Sequence, residues 1–136
     1  MTVVVDASVA LKWVLDEPGS DDAMALRQED LAAPAFFLVE CANALWTWVA
    51  RGNIDAEDAL TRFSELSEAP VALSPPEADI HAALRLATEL KHPVYDCMYL
   101  ACALRLNAQV VTDDRRFMAA VARRPDLKDR VRKLGD

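Results

Sequence analysis

The chain has 136 residues and is 53% hydrophobic, which is the usual size and composition of one domain with a substantial buried core. A net charge of −7 argues against a protein that coats nucleic acid through a generally basic surface. No apolar stretch reaches the roughly 18 residues of a membrane span, and the start, MTVVVDASVA, lacks the features of a secretion signal. We therefore expect a single domain, residues 1–136, in the cytoplasm.

The charge is unevenly distributed along the chain. Residues 115–136 contain eight Arg and Lys residues and three acidic residues, a local charge of +5. Seven basic and nineteen acidic residues, a charge of −12, remain for residues 1–114. The C-terminal segment could offer a basic surface to an anionic partner, but a solvated helix and strand explain these charges equally well.

The cysteines and histidines predict no chemistry. Cys41, Cys97 and Cys102 are odd in number, form no C-x-x-C pair and lie in apolar segments. They are therefore predicted to be reduced core residues, with neither a disulfide framework nor a zinc site. His81 and His92 are too isolated to form a triad or a metal cluster, so we assign them no role.

Short β-branched or apolar runs alternate with stretches of helical period, which is typical of βαβ units and of a parallel sheet covered by helices. Strands are predicted at Thr2–Val5, Leu31–Ala33, Val71–Leu73, Gln109–Thr112 and Arg130–Leu134. Helices are predicted at 8–15, 20–29, 36–51, 55–67, 76–90, 95–106 and 115–123. The expected fold class is α/β.

Two helix starts carry capping signals. Ser74-Pro75-Pro76-Glu77 has the serine and glutamate of a capping box, with proline where the first turn needs no N–H. Asp55 is a second predicted cap. The chain has three glycines and neither a GxGxxG nor a P-loop pattern, so no cradle for a nucleotide cofactor is predicted.

Two aspartates follow predicted strands directly. Asp6 comes after Val3-Val4-Val5, and Asp114 comes after the strand that ends at Thr112, with Asp113 as a competing acid. Ligands bind at the carboxyl edge of open parallel sheets, where these residues are expected to lie. Each aspartate could equally serve only as the N-cap of the following helix.

Glu40 interrupts the apolar helix 36–51. At about 100° per residue it forms a polar stripe with Asn43, Thr47 and Arg51, while aromatic residues crowd the rest of the circumference. We interpret this helix as buried on most sides, with Glu40 facing a polar cleft; an exposed face or a Glu–Arg pair is the alternative. Asp96 opens another apolar helix, where its charge also suits the helix dipole.

The combination of Asp6, Glu40, Asp96 and Asp114 is more informative than any one of them. Four converging carboxylates would raise one another's pKa unless a cation compensated them, and oxygen ligands without histidine or cysteine favour Mg²⁺. A bound divalent ion can activate water to attack phosphorus and can neutralise the leaving oxygen. Three polar residues are predicted to support the acids or to contact phosphate: Ser8, Asn43 and Thr112.

Two other enzyme classes place an aspartate after a first strand. A phosphatase of that kind needs a second acid at position 8, which here is Ser8, and a receiver domain needs an acidic pair. Neither pattern is present. The remaining rival is a scaffold that binds RNA or a protein partner without cutting, which four intact acids argue against.

At these residues the chain resembles the PIN-domain family, and within it the VapC-type toxins of bacterial toxin–antitoxin systems. The similar segments are VVVDASVALKW around Asp6, LVECANALW around Glu40, VYDCMYLACA around Asp96 and VVTDDRRF around Asp114. They occur in the family's order and extend over most of the chain. Their joint occurrence is highly specific, although each segment alone is not.

The resemblance implies a three-layer α/β/α sandwich with a central parallel sheet and a ribonuclease whose four acids bind Mg²⁺ or Mn²⁺. It also implies an RNA substrate, a homodimer and inhibition by a VapB-like antitoxin. The family's fourth acid stands two residues after the threonine, which points to Asp114 rather than Asp113. Because the chain is acidic overall, RNA contacts are expected in the cleft and at a few basic residues: Lys12, Lys91, Arg115 and Arg116.

Overall fold

In the computed structural model of the protein, which describes residues 2–136, five strands form one sheet with seven α-helices around it. The strands are β1 (Thr2–Val5), β2 (Asp30–Pro34), β3 (Val71–Ser74), β4 (Gln109–Thr112) and β5 (Val131–Lys133). The helices are α1 (Ala7–Ala10), α2 (Ser20–Ala25), α3 (Phe37–Ala50), α4 (Ala56–Ser67), α5 (Ile80–Leu90), α6 (Val94–Arg105) and α7 (Arg115–Ala122). All five predicted strands are confirmed to within one residue at either end.

The sheet is entirely parallel, in the order β3-β2-β1-β4-β5. Val4 of the central strand β1 pairs in register with Ala32 of β2 and with Val110 of β4. From β1 the chain builds outward through β2 and β3, and then returns to the other side of β1 for β4 and β5. This reversal opens a crevice at the carboxyl ends of β1 and β4, which is where such sheets bind ligands.

Successive side chains of a strand point to opposite faces of the sheet, and both faces are covered. Val4 belongs to a large core cluster with side chains of α3, α5 and α6. Val3 and Val5 belong to a smaller cluster with Ala23 of α2 and with Leu26. The predicted α/β/α sandwich is therefore confirmed.

The first two predicted helices are shorter than expected. The α-helix α1 ends at Ala10 and continues as a 3₁₀ turn over Leu11–Trp13, and α2 is followed by a similar turn over Leu26–Gln28. Such turns commonly tighten the ends of α-helices. Pro18 also prevents the first of these helices from running into the second, because the residue before a proline avoids the helical conformation.

The predicted capping box at Ser74 is wrong. Ser74 closes β3, residues Pro76–Ala78 form a 3₁₀ turn, and α5 begins only at Ile80. Asp79 precedes α5 without capping it, because both of its carboxylate oxygens accept hydrogen bonds from Arg105, at 2.7 and 2.9 Å. The predicted cap at Asp55 is confirmed: its Oδ1 accepts a hydrogen bond from the backbone N–H of Asp58 at 2.7 Å.

The prediction that α3 is buried on most sides is also wrong. Phe37, Cys41 and Leu45 are buried and form one stripe along the helix, whereas Trp46 is 64% exposed. The stripe packs in the core, and α3 also contacts α1 and α4. Among residues 2–136, no helix is both long enough and apolar enough to cross a membrane.

Candidate active site

Asp6 lies at the carboxyl end of β1 and is 6% exposed. Its Oδ1 accepts hydrogen bonds from the Ser8 hydroxyl at 2.6 Å and from the Val9 backbone at 3.2 Å, and its Oδ2 accepts one from the Thr112 hydroxyl. Burial nevertheless raises the pKa of Asp6 to about 6, and the charge of Asp96 adds to the rise. The carboxylate is therefore held firmly, but its charge is poorly compensated.

Ser8 and Thr112 also connect the ends of β1 and β4. The Ser8 hydroxyl accepts a hydrogen bond from the backbone of Asp113 at 3.0 Å, and the Thr112 hydroxyl accepts one from the backbone of Asp114 at 3.0 Å. Two of the three predicted supporting residues thus contact Asp6 and fix the segment that carries the fourth acid.

Glu40 projects from the first turn of α3 and accepts a hydrogen bond at Oε1 from the hydroxyl of Tyr99, a buried residue of α6. Burial raises the pKa of Glu40, the bond from Tyr99 lowers it, and the charge of Asp96 raises it again. No sequence pattern predicts the contact between Tyr99 and Glu40, because the two residues are 59 positions apart.

The rest of the predicted polar stripe does not enter the site. Asn43 and Arg51 are exposed, and the Thr47 hydroxyl donates to the backbone carbonyl of Asn43 at 3.1 Å, which is a local bond along the helix. Of the residues in that stripe, Glu40 alone is placed near the other acids. Within residues 2–136, no side-chain hydrogen bond joins Asn43 to any of the four carboxylates.

Asp96 lies in the first turn of α6, where His92 donates a hydrogen bond from Nε2 to its Oδ2 at 2.6 Å. The ring of His92 also stacks on Phe117 of α7, with centroids 5.6 Å apart. Burial raises the pKa of Asp96, the His92 bond lowers it, and the charge of Asp114 raises it. The prediction that His92 has no role did not include this contact, which the i,i+4 spacing to Asp96 could have indicated.

Asp114 begins α7 as its N-cap, since its Oδ1 accepts hydrogen bonds from the backbones of Arg116 and Phe117 at 2.9 and 3.2 Å. This capping role was one of the two alternatives for the residue. It does not exclude the other, because the charge of Asp114 also reaches Asp96 and raises that residue's pKa.

The carboxylate of Asp113 forms an ion pair with Lys12. Its Oδ2 lies 3.3 Å from the ammonium of Lys12, which is buried and also donates to the carbonyl of Pro18 at 2.8 Å. Asp114 is therefore better placed than Asp113 to be the fourth acid. Because Lys12 is buried and already contacts Asp113 and Pro18, its ammonium is not exposed to RNA as the sequence predicted.

The four acids form one electrostatic group centred on Asp96. The charge of Asp96 acts on Asp6 and Glu40, and that of Asp114 acts on Asp96. Four buried or half-buried carboxylates whose negative charges repel one another are a donor set that suits a hard divalent cation. In chemistry and charge, the residues fit Mg²⁺ or Mn²⁺.

The acids do not converge on a single point. Among residues 2–136, no group of three or more acidic, histidine or cysteine side chains is arranged to hold one metal ion. Each acid is instead turned towards a protein donor: Ser8 and Thr112 for Asp6, Tyr99 for Glu40, His92 for Asp96 and the start of α7 for Asp114. Rotation of these side chains is needed to bring their oxygens to one cation.

Many basic side chains of the C-terminal segment contact other parts of the protein. Arg123 donates to the Leu90 carbonyl, Arg124 pairs with Glu89 and Asp126, and Arg132 donates to Gln109. Arg115 and Arg116, by contrast, are exposed at the start of α7, directly after Asp114. The exposed basic residues of this segment that border the acids are therefore Arg115 and Arg116. The three cysteines are free and buried.

Comparison with known proteins places this arrangement in a family. A model of the PIN domain matches residues 3–123. Ribonuclease VapC12 of Mycobacterium tuberculosis is 33% identical over 116 residues, which cover 85% of this chain and 88% of that protein.

Solved structures show the same fold at lower identity. PAE2754 from Pyrobaculum aerophilum is similar with a TM-score of 0.73 and 23% identity, covering 98% of this chain and 84% of its own. A chain of VapBC2 from Rickettsia felis, bound to a DNA fragment from their promoter, is similar with a TM-score of 0.69 and 15% identity, covering 98% of each chain. The family match over most of the chain and the identity to VapC12 together show that this protein belongs to the PIN-domain family, among its VapC-type ribonucleases.

Proposed function

We propose that residues 1–136 act as a single nuclease domain, a Mg²⁺-dependent endoribonuclease toxin that hydrolyses RNA phosphodiester bonds in the cytoplasm. The observation that carries the proposal is the grouping of Asp6, Glu40, Asp96 and Asp114 at the carboxyl edge of the sheet, where burial and mutual repulsion raise the pKa of the first three. The ribonuclease names of the relatives supply the substrate class.

In this proposal the four acids hold Mg²⁺, or Mn²⁺ as a substitute. The ion, when bound, activates water and neutralises charge on the leaving oxygen. Ser8 and Thr112 keep Asp6 in place, since each donates a hydrogen bond to one of its oxygens. The exposed amide of Asn43, one turn after Glu40, is available to contact a phosphate of the substrate.

Exposed basic residues bind the backbone of the RNA in the same proposal. Arg115 and Arg116 extend from the start of α7, and Lys91 is exposed at the end of α5. Contacts of this kind give affinity without sequence preference, and they weaken as salt concentration rises. They explain how a chain with a net charge of −7 holds RNA locally.

Cleavage of single-stranded RNA by purified protein tests the proposal, with Mg²⁺ in one set of reactions and EDTA in the other. Loss of a residue that hydrogen-bonds to a metal ligand typically lowers activity by about 10- to 100-fold. Loss of a ligand itself should cost more, so Asp96→Asn and Asp114→Asn should each lower activity by more than about 100-fold. Asp113→Asn is the matched control and should retain activity, because Asp113 is turned towards Lys12.

Three results would oppose the proposal. Cleavage that persists in EDTA would exclude the metal mechanism, as would full activity in both Asp96→Asn and Asp114→Asn. Binding of RNA without any cleavage would support the scaffold that competes with the enzyme. Thermal unfolding of each variant separates loss of chemistry from loss of fold.

The proposal also includes two protein partners, a VapB-like antitoxin and a second copy of this chain. A VapB partner is named for the Rickettsia felis assembly, and apolar surface suitable for a partner is available here. Trp46 of α3 and Leu60 of α4 are 64% and 63% exposed. They border an apolar groove of about 350 Å³ between these two helices, lined by Ala42, Leu45, Trp46, Val49, Ala56, Ala59, Leu60 and Phe63.

A further inference from the structure

An aromatic side chain borders the acids without taking part in the fold's core. Tyr95 is 66% exposed and directly precedes Asp96 at the start of α6. Its ring lies 6.4 Å from that of Phe36, with 37° between the planes, and Phe36 lies 5.4 Å from Tyr99. Tyr99 in turn donates to Glu40. Three aromatic rings therefore lead from the half-buried Glu40 to the surface.

We propose that Tyr95 forms a nucleobase-binding subsite, in which an unpaired base of the RNA stacks on its exposed ring beside the acids. The inference rests on the proposed function, since it names how that site recognises its substrate. Tyr95 touches the substrate but not the reacting atoms, so its role is to hold the chain rather than to cut it.

The physics of stacking favours a base as the occupant. Every base has a flat π-face, so an exposed aromatic ring binds bases with little sequence preference. Phe36 packs against the ring of Tyr95 and thus restricts its motion, which lowers the entropy that binding costs. A base in a duplex has its faces covered by its neighbours, so this subsite selects single-stranded RNA.

The surroundings of Tyr95 distinguish it from the other highly exposed ring, Trp46. Trp46 borders the apolar groove between α3 and α4, where the neighbouring side chains suit a protein partner. Tyr95 is flanked in sequence by Asp96, and the exposed Lys91 lies four residues before it. An exposed ring that directly precedes Asp96 is placed to hold a base of an RNA whose backbone reaches the acids.

The test uses a short single-stranded RNA that contains 2-aminopurine, whose fluorescence is quenched when the base stacks on an aromatic ring. Binding is measured in EDTA, so that the readout does not depend on cleavage. Wild type and Tyr95→Phe should quench the probe equally, because both have the ring. Tyr95→Ala should lose the quenching and bind about 10-fold more weakly, within the range reported for removal of one stacking contact.

Trp46→Ala is the matched control, because it removes a ring of similar exposure on another face. It should bind and quench as wild type does. A duplex of the same sequence should bind wild type no better than Tyr95→Ala.

Equal quenching and equal affinity in wild type and Tyr95→Ala, including no quenching in either, would overturn the inference. So would conversion of a dimer into a monomer by Tyr95→Ala in size-exclusion chromatography, which would assign the ring to a contact between copies. If wild type cleaves RNA while Tyr95→Ala behaves identically, only this inference fails. If wild type quenches the probe but cleaves no RNA in Mg²⁺, the proposed function fails and the subsite stands.

Discussion

Three of the four acids accept hydrogen bonds from side chains that are not acids. Tyr99 donates to Glu40, His92 donates to Asp96, and Ser8 and Thr112 donate to Asp6. These donors stabilise the charged form of the carboxylates against burial, which acts in the opposite direction. They occupy both oxygens of Asp6 and one oxygen each of Glu40 and Asp96.

His92 offers a direct test of this dependence. His92→Phe keeps a ring to stack on Phe117 but removes the hydrogen bond to Asp96. Without the donor the pKa of Asp96 should rise further, so that protons compete better with a cation. The affinity for Mn²⁺ should fall by about 10- to 100-fold, as it does when partners of metal ligands are removed elsewhere.

Mn²⁺ affinity can be measured from the electron paramagnetic resonance signal of the free ion, which does not depend on activity. His81→Phe is the control, because His81 is exposed on α5 and lies outside the site. Restoration of affinity by His92→Gln would identify the hydrogen bond as the cause. Wild-type affinity in His92→Phe would show that the bond contributes only to the fold.

The sequence predicted Ser8 and Thr112 as neighbours of the acids but not Tyr99 or His92, and the reason is physical. Asp6 and Asp114 follow strands, and the ends of parallel strands meet at one edge whatever the details of packing. The contact of Tyr99 with Glu40 depends on how α6 lies against α3, which local patterns do not encode. His92 and Asp96 have the i,i+4 spacing of a pair, but an isolated histidine before a proline does not by itself predict that contact.

At the scale of elements, the strands were predicted better than the helix starts. Strand positions follow from apolar runs that must be buried, whereas a cap is decided by competing partners. Asp79 shows this competition: it pairs with Arg105, 26 residues away, instead of capping α5. For α3, periodicity identified a polar stripe but not how much of the remaining surface a small domain leaves uncovered.

The groove between α3 and α4 should be the part of the surface that recognises the antitoxin. Leu60→Glu places a charge in this groove, whose lining is almost entirely apolar, and an unpaired charge against an apolar partner is costly. Co-purification with the antitoxin should be lost, while ribonuclease activity and melting temperature stay near those of wild type. Glu57→Gln, at an exposed residue one turn earlier in α4, serves as the control.

Retention of a stable complex by Leu60→Glu would place the antitoxin elsewhere on the molecule. Loss of activity in the isolated variant would instead mean that the groove supports the active site.

For the molecule as a whole, the grouped acids destabilise the folded state in the absence of metal. The pKa of Asp6 rises from near 3.8 to about 6 on folding, which corresponds to about 3 kcal/mol. Between these values the folded protein binds more protons at Asp6 than the unfolded chain does, so this contribution to stability falls as pH rises through about 4 to 6. Glu40 and Asp96 act in the same direction.

Asp6→Asn removes the titrating group, so it should gain stability relative to metal-free wild type as pH rises through this window, and keep that advantage at neutral pH. A divalent ion reverses the order for wild type, since a ligand that binds only the folded state stabilises it by mass action. The stabilisation should be weak below about pH 5, where protons occupy the acids, and stronger at neutral pH.

Thermal unfolding of wild type and Asp6→Asn at neutral pH, in EDTA and in Mn²⁺, tests most directly whether the four carboxylates bind a cation. We expect Asp6→Asn to melt above wild type in EDTA, and Mn²⁺ to raise the melting temperature of wild type while leaving that of the variant unchanged. An equal rise in both proteins, or none in wild type, would contradict a cation site built from these four carboxylates.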